Sequence, residues 1–132
     1  MDARVDEVHH EQLERVMQAA YARLDPRQAE ELRTMGEASF RYIPDEDLEP
    51  ERADKVYGLL LSLWKFGERR RPGTSALRVF NPRVEAVGWV SGHTVVEIVN
   101  DDMPFLVDSV AAALGRRGLR VHSLVHPILF VE

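Results

Sequence analysis

Three carboxylates lie close together where the sequence changes from a β-branched run to a helical pattern. Asp101 and Asp102 directly follow the segment VVEIVN, and Asp108 comes shortly afterwards. Oxygen ligands grouped in this way could bind Mg²⁺ or Ca²⁺. The segment nevertheless lacks the glycine-spaced loop of a calcium site, and no glutamate lies at a matching distance.

The start of a helix explains the same acids without a metal. Asp102 is suited to cap the helix, Pro104 to occupy its first turn, and Asp108 to interact with the positive end of the helix dipole. We therefore favour capping and predict no metal site. Backbone N–H groups at such a helix start can also bind a carboxylate, including that of an amino acid, so a ligand-binding turn is an alternative.

Other residues that could carry chemistry form no convincing set. His122 and His126 share one face of a strand, yet the chain has no cysteine and no third zinc ligand is evident. The pair His9 and His10 is typical of a helix surface. No serine has a suitable histidine and aspartate, and no glycine-rich phosphate loop is present. We predict no catalytic residue in this chain.

Composition excludes several classes of function. The net charge of −5 does not favour nucleic-acid binding, and we interpret the one basic run, residues 68–71, as the last turn of a helix. The charged N-terminus does not resemble a signal peptide, and every apolar run is too short to span a membrane. We expect a cytoplasmic protein with no membrane partner.

The first half of the chain has helical periodicity. Apolar residues spaced three or four apart predict a first helix over residues 5–24. Asp25, Pro26 and Gln28 form a capping-box pattern that predicts the start of a second helix, with a weak point or a break expected around Gly36. A third helix is predicted over residues 51–70, with one face buried.

The second half alternates between strand and helix patterns. Strands are predicted over residues 76–82, 84–92, 93–100 and 119–132, with a helix over 105–117 between the last two. Pro127 cannot donate to a strand ladder, so it marks an edge or a bulge. The helix is long enough for a right-handed crossover between parallel strands.

Several segments of this half resemble one protein family. VVEIVNDDMPFLVDSV followed by RRGLRVHSLVHPILFV resembles the N-terminal region of the large bacterial NAD-specific glutamate dehydrogenases. The upstream segments RYIPDEDL, VYGLLLSLWKF and RRPGTSALRVFNP are similar to that family in the same order, so the resemblance covers about residues 37–132. It implies an enzyme that oxidatively deaminates L-glutamate to 2-oxoglutarate with NAD. It also implies that the catalytic domain and NAD site lie far downstream, with no cofactor in this segment.

The resemblance implies an α+β fold in which helices, residues 1–73, precede an ACT-like unit, residues 74–132. An ACT domain is a ferredoxin-like βαββαβ module that often binds amino acids. The unit is incomplete here, and we expect a fragment of a longer protein whose sheet is completed by strand 76–82 or by another chain.

The resemblance also places a possible ligand-binding turn at one stretch of the chain. Phe105 stands where the usual ACT turn carries glycine, so we expect its side chain to close the pocket. The partners implied are other domains or subunits of the parent enzyme, a second copy of this chain and an amino-acid effector. The turn comprises Asn100, Asp101, Asp102, Met103, Pro104, Phe105 and Leu106.

Overall fold

A computed structural model describes residues 3–71, 73–82, 93–101, 105–121 and 124–126. Within these residues the chain forms helices followed by a small antiparallel sheet and one more helix. The helices are α1 (Ala3–Arg23), α2 (Pro26–Ser39), α3 (Ala53–Glu68) and α4 (Leu106–Arg116), and the strands are β1 (Ala76–Phe80) and β2 (Val95–Val99).

Local sequence signals account for the start of α2. The backbone N–H of Gln28 donates to the Asp25 carboxylate at 2.8 Å, and the Gln28 side chain accepts from the Asp25 backbone, as predicted for a capping box. No break occurs at Gly36, because α2 continues to Ser39. A Cβ atom at Gly36 would lie 2.8 Å from Leu13 Cδ1, so glycine lets α2 pack closely on α1.

Helices α1, α2 and α3 bury one apolar core between them. Its centre is fully buried, and each such aliphatic side chain contributes roughly 1.5–3 kcal/mol to stability. Short 3-10 segments, Phe40–Tyr42, Asp45–Leu48 and Pro50–Arg52, connect α2 to α3. Of this connection, Phe40, Ile43 and Leu48 add to the same core. The buried apolar residues at the centre are Val16, Met17, Ala20, Ala29, Leu32 and Leu60.

Buried polar contacts fix the connecting segment against α1. The fully buried Gln12 amide donates to the backbone carbonyls of Asp47 and Glu49, at 2.9 Å each. Lys55 Nζ lies 2.9 Å from the Asp47 carboxylate. These contacts satisfy polar groups that would otherwise be costly to bury.

Strands β1 and β2 pair antiparallel, with Ala76 opposite Val99 and Phe80 opposite Val95. Both strands are shorter than predicted. Residues 84–92, predicted as a further strand, lie outside the described residues. Helix α4 begins at Leu106, one residue later than predicted, and ends at Arg116. The sheet of the described residues is therefore a two-stranded ribbon.

The last predicted strand is not seen in the part of it that the structure describes. Residues 119–121 and 124–126 belong to no helix or strand, and the rest of 119–132 lies outside the described residues. Val125 packs against the helical core, and the His126 ring lies 4.2 Å from the Tyr42 ring. The parallel crossover and the division at residue 73 stay predictions.

Candidate functional site

The predicted ligand-binding turn joins β2 to α4. Of its seven residues, Asn100, Asp101, Phe105 and Leu106 are described, whereas residues 102–104 lie outside the described residues. The prediction that Asp102 caps the helix and that Pro104 lies in its first turn falls on those residues. The N-cap position itself belongs to Phe105, whose side chain makes no capping hydrogen bond. Asp108 lies in the first turn of α4, as predicted.

Polar contacts connect the beginning of the turn to the segment before β1. Arg70 Nη2 forms an ion pair with the Asp101 carboxylate, and Arg70 Nε donates to the Thr74 carbonyl. The Ser75 hydroxyl donates to Asn100 Oδ1. The turn is thus attached to the residues that follow α3, and Arg70 partly neutralises the negative charge of Asp101.

Arg70 was not identified as a site residue from the sequence. The basic run of residues 68–71 is not the last turn of a helix, because α3 ends at Glu68. Arg70 instead reaches the sheet end, where the register Ala76–Val99 brings it near Asp101. One feature of the sequence could have indicated this ion pair: the segment before β1 is basic and the segment after β2 is acidic.

Phe105 has an unusual backbone conformation for its residue type. Its φ is +65° and its ψ is 11°, in the left-handed region that favours glycine, and it is the one non-glycine residue with positive φ among the described residues. Its carbonyl accepts from the Ser109 N–H at 2.8 Å, which begins α4. The turn therefore adopts a glycine-like geometry at the position where the ACT turn carries glycine.

The Phe105 ring is 76% exposed and so is not buried against its surroundings. This exposure gives no support to a ring packed into a closed pocket. Pocket closure stays a prediction, because three residues of the turn lie outside the described residues.

A second polar cluster lies under the middle of the ribbon. Arg78 is directly opposite Glu97, and Arg78 Nε donates to Glu97 Oε1 at 2.9 Å. Arg78 also donates to the Ser62 hydroxyl of α3 and lies over the rings of Phe66 and Phe80. This cluster fixes the ribbon to α3, and Glu97 is buried because Arg78 compensates its charge.

A shallow groove of about 470 Å³ lies elsewhere, between α1 and the 3-10 segments. Its lining includes Glu11, Arg15 and Asp45, and none of the predicted turn residues. Arg15 donates to Gln12 Oε1. The groove is a separate feature of the helical half.

Comparison with known proteins identifies the family. The model described as "Glutamate dehydrogenase, ACT1 domain" matches residues 35–132. The chain belongs to this family. The glutamate dehydrogenase ACT1 match includes the turn, the ribbon and α4, and it confirms the resemblance seen in the sequence.

Two curated relatives carry the name NAD-specific glutamate dehydrogenase. The protein of Halomonas elongata is 38% identical over 126 residues, which is 96% of this chain and 8% of the relative. The protein of Pseudomonas aeruginosa is 41% identical over 96 residues, which is 73% of this chain and 6% of the relative. The chain thus spans less than a tenth of the length of these relatives, and no solved structure matches it.

None of the described helices combines the length and the apolar character that crossing a bilayer requires. Among the described residues, no group of three or more histidine, aspartate or glutamate side chains is placed to hold a metal ion.

Proposed function

We propose that this chain is a non-catalytic N-terminal domain that regulates or assembles an NAD-specific glutamate dehydrogenase. The observation that carries the proposal is the ACT1 match over residues 35–132, together with the names of both relatives. The parent enzyme would oxidise L-glutamate to 2-oxoglutarate with NAD. The NAD site would lie in a downstream domain, and the enzyme would be a cytoplasmic homo-oligomer.

The contacts of the turn support a regulatory role. Asp101 and Asn100 are attached through Arg70 and Ser75 to the segment that follows α3. A change at the turn would therefore act on the residues that directly follow α3. Such contacts would couple the turn to the helical half.

Deletion of residues 1–132 from the parent enzyme tests the proposal. Initial rates of glutamate-dependent NADH formation, their response to added amino acids and the mass by light scattering would be compared with the intact enzyme. We expect the isolated chain to be inactive, and the deleted enzyme to retain chemistry but change its amino-acid response or its oligomeric state. Glutamate oxidation by the isolated chain, or a deletion that changes neither property, would reject the proposal.

A second candidate is an amino-acid-sensing domain that acts on its own. The glycine-like backbone of Phe105 favours this candidate, because it matches the backbone that glycine gives the usual ACT turn. The Arg70 guanidinium would then hold the ligand carboxylate, and Asp101 its ammonium group.

Calorimetry with the twenty amino acids tests this sensor. We expect binding to be weakened at least tenfold by Arg70→Met and much less by Arg69→Met, a matched change at the adjacent arginine. No heat with any amino acid would reject the sensor and leave the assembly role.

A further inference from the structure

Charged side chains are distributed unequally between the two ends of α3. The connecting segment before α3 carries five acidic residues and no basic one over residues 45–51. Lys55, near the start of the helix, forms an ion pair with Asp47 and so attaches this segment to that end. Three consecutive arginines, residues 69–71, follow directly after Glu68. The helix has 16 residues and extends about 24 Å between its acidic end and its basic end.

The helix dipole of α3 does not require the charges of the connecting segment. Asp54 in the first turn and Lys65 in the last turn already complement it. The dipole acts within those turns, whereas Asp45 and Glu49 precede the helix by four or more residues. Neither of these carboxylates forms an ion pair or a side-chain hydrogen bond with the residues that the structure describes. Two exposed carboxylates are therefore available to a ligand.

These two carboxylates line the groove between α1 and the 3-10 segments, which we call the acidic groove. The lining also contains apolar side chains, among them Val8 and Pro50. The Arg15 guanidinium, also in the lining, lies 3.9 Å from the Glu11 carboxylate and donates to Gln12, so its charge is already engaged. A side chain with an apolar stem and a cationic head matches this combination, and arginine has both. The acidic groove is thus suited to bind exposed arginines.

Arg69 and Arg71 provide such side chains at the other end of α3. Both are exposed, and neither guanidinium forms an ion pair with the residues that the structure describes. Arg70, between them, is bound to Asp101. The Thr74 hydroxyl and the Thr74 N–H both donate to the Arg71 carbonyl. The backbone of this segment is therefore already ordered, which lowers the entropic cost of docking it.

We propose that the basic end of one copy of this chain docks into the acidic groove of a second copy, with Arg69 and Arg71 beside Asp45 and Glu49. The two ends of one copy form no ion pair with each other, since α3 extends about 24 Å between them. Different surfaces meet in this contact, so it is head to tail and its repetition closes a ring or extends a chain. The inference deepens the proposed assembly role and rests on it.

Disulfide cross-linking between two single variants tests the contact, because the chain has no cysteine of its own. Pro50→Cys and Glu68→Cys keep all four proposed charges and would be mixed in equal amounts and oxidised. Three residues before α3 span at most about 10 Å, and a disulfide needs Cα atoms within about 7 Å, so one copy cannot bridge its own two ends. We expect the mixed disulfide to exceed either symmetric one by about tenfold, because docking raises the effective concentration of the two thiols.

Glu37→Cys, in place of Glu68→Cys, is the matched control, since Glu37 is an exposed glutamate of α2. It should give only the random proportions of mixed and symmetric disulfides. The same proportions from Pro50→Cys with Glu68→Cys would overturn the inference. An excess of either symmetric disulfide would also overturn it, because the contact would then join identical surfaces.

Charge reversal tests the chemistry of the contact. Sedimentation at low ionic strength would measure the association of the chain over a range of concentrations. Asp45→Lys and Arg71→Glu should each weaken association about tenfold, and an equal mixture of the two variants should recover it. Glu51→Lys reverses an exposed charge of the same segment outside the groove lining and should have much less effect.

Two results of the sedimentation experiment would overturn the inference. One is the mass of a single copy at every concentration. The other is association that neither Asp45→Lys nor Arg71→Glu weakens. Failure of the proposed function is separate, since it would appear as an unchanged amino-acid response and oligomeric state after deletion of residues 1–132 from the parent enzyme.

Discussion

The helical half and the β1–β2–α4 half of this molecule differ in where they place their apolar side chains. The helical half encloses fully buried residues such as Met17, Leu32 and Leu60. The other half has no buried residue in α4 and exposes aliphatic residues on the ribbon. The first half therefore has the core that a stable unit requires, whereas the described residues of the second half enclose no comparable core.

Truncation of matched leucines should give the largest difference between the halves. Leu60→Ala removes a fully buried side chain of α3 and should lower the free energy of unfolding by about 2–5 kcal/mol. Leu77→Ala removes a mostly exposed side chain of β1 and should change it by less than about 0.5 kcal/mol in the isolated chain. Urea unfolding of both variants measures this, and equal losses would remove the distinction between the halves.

Breaking the ion pair under the ribbon should have the next largest effect. Arg78→Met leaves the buried Glu97 carboxylate without its cation and should destabilise the chain by about 1–3 kcal/mol. Glu97→Gln keeps an oxygen for Arg78 and should cost less. Urea unfolding that shows no loss for Arg78→Met would mean that the pair does not attach the ribbon to α3.

Substitution of Phe105 should have a smaller effect, in the stabilising direction. Phe105→Gly relieves a left-handed backbone and loses little packing, so stability should rise by about 1 kcal/mol or less. Leu106→Gly, one residue further on and inside α4, should instead be destabilising. Thermal unfolding distinguishes the two variants. A loss of stability in Phe105→Gly equal to that in Leu106→Gly would contradict the observed backbone conformation.

The last effect concerns a partly exposed ion pair of the helical half. Arg33 Nη1 lies 2.9 Å from Glu14 Oε1, and this hydrogen bond, with the charge of Arg33, lowers the pKa of Glu14 below its ordinary value of 4.5 against the opposing effect of burial. A carboxyl group with a lowered pKa stabilises the fold above its unfolded pKa and loses this effect as the pH falls through its folded pKa.

Glu14→Gln should therefore cost up to about 1 kcal/mol at pH 7, since the pair is partly exposed. The difference from the wild type should shrink as the pH falls below 4.5, where Glu14 itself becomes protonated. Urea unfolding at pH 7 and pH 3 measures this, and a difference that does not change with pH would contradict the assigned cause.

The sequence predicted those features that depend on local signals. The capping box of Asp25 and Gln28 and the existence of α3 and β2 follow from spacing and residue type within a few positions. The family resemblance also followed from short segments and is confirmed. Gly36 was misinterpreted, because its role depends on the approach of Leu13 from another helix.

The contacts of the turn were not predictable in the same way. The pairing of Arg70 with Asp101 depends on the β1–β2 register. The alternation of side chains along a strand also does not say which of the two sets faces α3. The glycine-like backbone of Phe105 was suggested only by its place in the ACT turn. Long-range geometry, rather than residue type, decided each of these features.

Hydrogen exchange of the isolated chain tests the difference between the halves most directly. The account predicts that amides of α1, α2 and α3 exchange only through global unfolding, whereas those of β1, β2 and α4 exchange at least a hundredfold faster through local opening. Equal protection of the ribbon and the helical core would contradict it, because the second half would then be as stable as the helical core.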